Sequence, residues 1–267
     1  MASAVQPTAD RQMVVGRVFE RAFGAVRTNP LVILGLALVI GALPNLLITY
    51  LFVSGGVSSP QALAAGTISP RAFVAAALVS AIASMAIGAL VQGALTRATI
   101  SAAEGNRVSF GDSLSTSLRV LVPLIILAIV SAIGIGFGLI LLVVPGIILM
   151  LMWSVAVPVL VAERTGIFES LRRSGALTKG AKGRILGIFI VVLIAYGIVT
   201  MILGVIGIAS YSATNAAGGL TATNLIGSVV AGTLLNAAWG TIQPSLYVEL
   251  RQWKEGTSVE ALEQVFA

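Results

Sequence analysis

The stretch Val120–Ala162, VLVPLIILAIVSAIGIGFGLILLVVPGIILMLMWSVAVPVLVA, runs 43 residues without a charged side chain. As a single helix rising about 1.5 Å per residue it would extend roughly 65 Å, about twice the hydrocarbon thickness of a bilayer. It must fold back, and Pro145-Gly146 is the strong breaker near its middle. The reading is two spans, Val120–Val143 and Gly146–Ala162, joined by a tight turn at Pro145 and Gly146. Gly134 and Gly138 in the first of them form a G-x-x-x-G pair, a helix-contact signal and not a phosphate loop, because no strand precedes it.

Working outward, four more apolar runs have spanning length: Leu31–Val53, Ala72–Thr96, Ile185–Ile208 and Leu225–Val248. With 57% of the 267 residues hydrophobic and 10% charged, the composition lies outside the soluble range. The expected fold is all-α: one polytopic membrane domain over residues 1–267, with six transmembrane helices within 31–248 and a polar tail at 249–267. Residues 1–30 hold no signal-peptide core, so no cleavage is expected. Instead Arg11–Arg27 reads as an amphipathic helix with Val15, Val18, Phe19, Ala22, Phe23 and Val26 on one face. Arg17, Glu20, Arg21 and Arg27 fall on the other; such a helix lies in the interface or packs on the end of the bundle. Loops are expected at Ser54–Pro70 and Ala209–Thr223. Ser109-Phe-Gly-Asp112 and Thr257-Ser-Val-Glu260 read as capping boxes, the first opening an amphipathic helix with Phe110, Leu114 and Leu118.

Basic residues decide the orientation. With the N-terminus cytoplasmic, the inside segments hold 15 of the 16 Lys and Arg and leave only Arg71 outside. Both termini are therefore expected in the cytoplasm, in a multi-pass protein of the bacterial cytoplasmic (inner) membrane. The net charge of +6 then serves topology and anionic lipid, and nucleic acid is not expected as a partner.

Internal repetition follows from two spacings. Trp153, Pro158 and Glu163 stand at five-residue steps, as do Trp239, Pro244 and Glu249. Gln92 precedes Glu104-Gly105 as Gln243 precedes Glu255-Gly256. The unit is an interfacial helix followed by two spans, used three times as parallel hairpin repeats about an axis near the membrane normal.

Chemistry is restricted by what is missing. There is no histidine and no cysteine, which removes the commonest general base, the commonest metal ligand and all thiol chemistry. The only aspartates, Asp10 and Asp112, lie outside the spans, and no ionisable residue sits mid-membrane. No enzyme, cofactor or metal site is expected. Two candidate sites remain. The cationic elbow after the fourth span, with Arg164, Arg172, Arg173, Ser174, Lys179 and Lys182, could meet lipid phosphate or a partner, or only enforce topology. Glu163 there could pair with Arg172 or Arg173. The in-span polar residues Asn45, Gln92, Asn236 and Gln243, with Trp153 and Trp239, could line a central cavity, or only hydrogen-bond between helices. The stripe Ala76, Ser80, Ser84, Gly88, Gln92 and Thr96 carries the same two readings.

The string PGIILMLMWSVAVPVLVAE (Pro145–Glu163), followed by FESLRRSGALTKG (Phe168–Gly180), resembles the membrane domain attached to some bacterial glycerophosphodiester phosphodiesterases and its stand-alone relatives. The ending LYVELRQWKEG (Leu246–Gly256) is similar to the end of such domains. The resemblance implies a helical membrane domain that brings a partner or substrate to the bilayer. It implies no phosphodiesterase activity here, since that chemistry belongs to a separate soluble domain that depends on histidines. The functional expectation is a non-enzymatic inner-membrane protein that binds or organises anionic lipids, or a lipid-active membrane partner, as a monomer or homo-oligomer. A transporter or channel for a small or amphiphilic solute is the alternative.

Overall fold

The computed structural model describes residues 13–54, 63–64, 66–214 and 222–256, and every regular element among them is helical. An amphipathic helix α1 (Val15–Thr28) leads into a composite first span. That span is α2 (Pro30–Gly35), a π-helical segment (Leu36–Ala42) and α3 (Leu43–Ser54). There follow α4 (Pro70–Ala103), the short α5 (Phe110–Arg119), α6 (Leu121–Leu141), α7 (Val143–Met152) and α8 (Ala156–Glu163). The order closes with α9 (Ile167–Thr178), α10 (Lys182–Thr214) and α11 (Ala222–Glu255). Six candidate spans among the described residues are long and apolar enough to cross a membrane, and the protein is an all-α polytopic membrane protein.

Prolines show why the helices begin where they do. Pro30 and Pro70 open their helices, and Pro123, Pro145 and Pro158 each stand third in theirs. The first-turn N–H groups have no intrahelical acceptor, so a residue without one loses nothing there. This corrects the expected turn at Pro145-Gly146. The chain reverses at Leu142, the one extended residue between α6 and α7 (φ −158°, ψ 137°), and Pro145 and Gly146 belong to the first turn of the returning helix. Gly146 still has a steric job. A Cβ there would lie 2.6 Å from the backbone nitrogen of Leu139, and one on Gly138 would lie 2.9 Å from the Gly146 Cα. The two glycines let the arms of the hairpin touch backbone to backbone. Gly134 lies under the Trp153 ring, which a Cβ would meet at 2.5 Å.

The fourth span is not one helix either. It breaks at Trp153–Val155 between α7 and α8, where Pro158 denies its acceptor a donor. Ser174 of α9 bridges the break: its hydroxyl donates to Met152 O at 2.7 Å and accepts from the Val155 N–H at 3.3 Å. Pro44 is handled differently. The chain widens into the π segment just before it, and the Asn45 amide donates to Gly41 O at 3.0 Å.

Helices α4 and α11 form the centre of the bundle, α11 packing against α1, the π segment, α4 and α10. Gly240 of α11 lets α4 pack close, since a Cβ there would meet the Leu95 side chain at 2.2 Å. Ser109 opens α5 as expected, accepting from the Asp112 N–H at 3.1 Å. Phe110 and Leu114 pack against the core as expected, while Leu118 is exposed and the fully buried residues of α5 are Ser113 and Ser117. The Ser117 hydroxyl donates to Leu90 O at 2.6 Å, which lets α5 sit close against α4. Helix α10 runs on to Thr214, past the expected end at Ile208. The capping box at Thr257–Glu260 lies outside the described residues.

Candidate functional site

Charge gathers at the end of the bundle where α4, α8 and α11 terminate. Glu163, the last residue of α8, accepts from Arg173 Nε at 3.1 Å and from the Tyr247 hydroxyl at 2.9 Å. Arg173 reaches on to Glu255, and Arg251 closes the ring to Glu255 at 3.1 Å and to the Tyr247 hydroxyl at 3.5 Å. This network ties α8, α9 and α11 together. Partial burial opposes the charge on Arg173, but its two carboxylate partners outweigh that and hold it above the usual arginine range. The expected pairing of Glu163 with Arg173 is present; Arg172 instead pairs with Glu169 one turn back, at 2.8 Å, which raises its pKa.

The matching residue Glu249, in the second W-x4-P-x4-E string, is buried and serves α1 in the same way. It accepts from the Val14 N–H at 3.1 Å and pairs with Arg17 at 3.2 Å and Arg21 at 3.3 Å. Burial pulls the Arg21 guanidinium below the usual arginine range, with the Glu249 carboxylate opposing it. Each carboxylate thus holds an amphipathic helix across the bundle end: α9 on Glu163, α1 on Glu249.

Beside these networks lies a cleft of about 760 Å³, walled by the ends of α4, α8 and α11. Its charged lining is Arg97, Arg164 and Arg251 against Glu104 and Glu255. Glu255 is taken up by Arg173 and Arg251, whereas Arg97 and Arg164 are exposed and have no ion-pair partner among the described residues. Arg164 is also the only non-glycine described residue with positive φ (φ 52°, ψ 36°), at the C-terminus of α8. The neighbouring left-handed positions after α4, α9 and α11 are Gly105, Gly180 and Gly256. Glycine is the residue that takes this conformation freely, so an arginine there is held at a steric cost of about 1 kcal/mol. Such cost concentrates where a side chain is needed in one place.

The six elbow candidates therefore separate. Arg164 enters the cleft; Arg172, Lys179 and Lys182 lie on the surface. Arg173 is engaged in the network. Ser174 is corrected: it is fully buried and bonded to the α7–α8 break, so no lipid head group reaches it. Arg97 and Arg251 escaped the sequence reading. Their signal was position, one residue beyond the apolar run ending at Thr96 and two beyond Glu249.

Of the two readings of the in-span polar residues, Gln92 and Gln243 take the hydrogen bond between helices. Gln92 Nε2 donates to Gln243 Oε1 at 2.5 Å, and these amides largely satisfy each other. Asn45 and Asn236 line a separate pocket of about 320 Å³ between α3 and α11. Trp153 packs on Gly134, and Trp239 packs against Phe189 with ring centroids 5.0 Å apart. Pro244 lies inside the continuous α11, not at a break like Pro158. Among the described residues no group of three acidic side chains could hold a metal.

No family model matches the chain, and no solved structure matches it. Over 89 residues it is 39% identical to UPF0259 membrane protein plu2479 of Photorhabdus laumondii, covering 33% of this chain and 34% of that protein. The chain thus matches about a third of the length of this curated relative. The likeness is to a bacterial membrane protein and does not support the phosphodiesterase-associated membrane domain.

Proposed function

We propose that the protein binds the phosphate-bearing head group of an anionic membrane lipid in the Arg97–Arg164–Arg251 cleft, without catalysing a reaction. The observation that carries this reading is the pair of arginines outside any ion pair among the described residues that open on one cleft, outnumbering its one carboxylate not already paired, Glu104, with Arg164 in a backbone conformation that favours glycine. An exposed arginine close to an anionic surface contributes about 1 kcal/mol, and two converging guanidinium forks suit a phosphate better than two lysines would. In this reading the basic bundle end faces the cytoplasm, both termini lie there, and the membrane is the inner membrane. The outward cations Arg172, Lys179 and Lys182 are then the surface offered to a lipid-active protein partner. Native mass spectrometry tests the proposal: the protein should retain phosphatidylglycerol or cardiolipin over phosphatidylethanolamine, and Arg97→Ala/Arg164→Ala should lose that preference. Unchanged retention in the double variant refutes it.

A second reading has one observation in its favour. The polar pocket at Asn45 and Asn236, the Gln92–Gln243 pair and the basic cleft lie in succession along α11. A solute path would use them in that order, and uptake into proteoliposomes that disappears on Gln243→Leu is its test.

A further inference from the structure

A second cavity, away from the cleft, lies between α1, α10 and α11 and holds about 450 Å³. Only Tyr196 and Thr241 in its lining carry a polar side-chain atom, and the Thr241 hydroxyl is already bonded to its own helix at Ala237 O, 2.7 Å away. The lining runs from Val191 to Val199 on α10 and from Leu234 to Ile242 on α11. Each is an eight-residue rise of roughly 12 Å. That is close to one leaflet, about half of a 30 Å hydrocarbon core. Both helices are candidate spans, so the groove lies at bilayer depth. Phe19 and Phe23 of α1 close the end nearest the bundle's basic face. One turn beyond Phe23, where the polar face of α1 borders its apolar face, stands Arg27, exposed and without an ion-pair partner among the described residues.

Lining and charge select the occupant. The walls are apolar over about one leaflet, and the cation Arg27 stands next to the lining residue Val26. A phospholipid brings a phosphate to that cation together with its hydrocarbon chain, which an apolar helix of a second copy does not. We infer that the groove between α1, α10 and α11 holds a single acyl chain of a phospholipid from the basic-side leaflet, its phosphate at Arg27. This inference stands independently of the head-group site at Arg97 and Arg164. It assigns α1 the role of a wall whose position Glu249 fixes through Arg17 and Arg21.

The test is photolabelling of the full chain in vesicles of phosphatidylglycerol and phosphatidylethanolamine doped with a phospholipid carrying a mid-chain diazirine. Peptide mapping should find the label at Ala195, Val199 and Ala238 several-fold above that at Ile194 and Met201. The last two face outward, 57% and 68% exposed, and report ordinary annular lipid. Ala195→Trp/Ala238→Trp, which fills the groove, should abolish the excess. Arg27→Gln, which leaves the packing untouched, should lower it several-fold without changing the melting temperature. Arg97→Ala/Arg164→Ala should leave it intact, separating this site from the cleft. Groove labelling no higher than at Met201, or cross-links between copies through Val199 in place of lipid, overturns the inference.

Discussion

Replacing Ser174 by alanine tests the joint on which the fourth span depends. In the folded protein its hydroxyl makes two bonds at the α7–α8 break: to Met152 O at 2.7 Å and from the Val155 N–H at 3.3 Å. Val155 is fully buried, so without the hydroxyl its N–H is orphaned, at a cost of about 1–3 kcal/mol. Met152 O is cushioned, because Thr178 Oγ1 also reaches it at 3.3 Å. Ser174→Ala should therefore destabilise by about 2 kcal/mol, and Thr178→Val, which leaves the shorter bond in place, by about 0.5–1 kcal/mol. In the double variant Met152 O loses both donors, and the loss should exceed the sum of the single losses by about 1 kcal/mol, a coupling that a double-mutant cycle isolates. Unfolding in mixed micelles titrated with a denaturing detergent and followed by circular dichroism measures all four corners. A single-variant loss below about 0.5 kcal/mol together with additive losses would refute the reasoning, since the break would then be held by something other than Ser174. Phospholipid retention should not change in any corner, because the side chain is out of reach of the bilayer.

Three further outcomes are expected. Gly146→Ala forces a Cβ against the Leu139 backbone and should cost about 2–3 kcal/mol in the same assay, whereas alanine at Gly136, which faces open space, should be neutral or stabilising. Glu249→Ala leaves Arg21 without its carboxylate; with Arg17 half exposed the loss is discounted to about 2–3 kcal/mol, and it should appear as faster trypsin cleavage after Arg17 and Arg21. Arg164→Gly relieves the left-handed backbone and should raise stability by about 1 kcal/mol while lowering anionic-lipid retention, a divergence that a purely structural arginine would not produce.

Much of the architecture could be read from the chain because lipid leaves few options. Apolar length and the fold-back required of Val120–Ala162 placed the six spans, and the cationic segments bordered them. What escaped depends on which side of a helix faces a neighbour. The turn at Leu142 was misplaced because a proline was treated as a breaker, when its missing donor equally suits the first turn of a helix. Ser174 looked like part of a polar, cationic surface, and only the packing of α9 reveals that it faces the α7–α8 break. The polar residues of the spans left a cavity and bonds between helices both open; Gln92 and Gln243 meet each other, and Asn45 and Asn236 line a different pocket. The cleft was invisible as a unit, since Arg97, Arg164 and Arg251 come from three helices far apart in the chain. The repeated W-x4-P-x4-E strings did carry a physical signal. Their terminal carboxylates, Glu163 and Glu249, each anchor an amphipathic helix.

The bond from the Val14 N–H to Glu249 joins residues 235 positions apart. During synthesis at about 5–20 residues per second, the first helix emerges roughly 12–47 s before its anchoring carboxylate exists. Over that interval α1 can pack on α2 and α4, through Ala25 and Val26, while the part of its apolar face that α11 will cover has only lipid to meet. The arrival of α11 then gathers that face off the bilayer and closes this side of the bundle. A nascent chain arrested before Glu249 would leave α1 without its carboxylate anchor, which makes insertion of α11 the step that fixes the first helix in place.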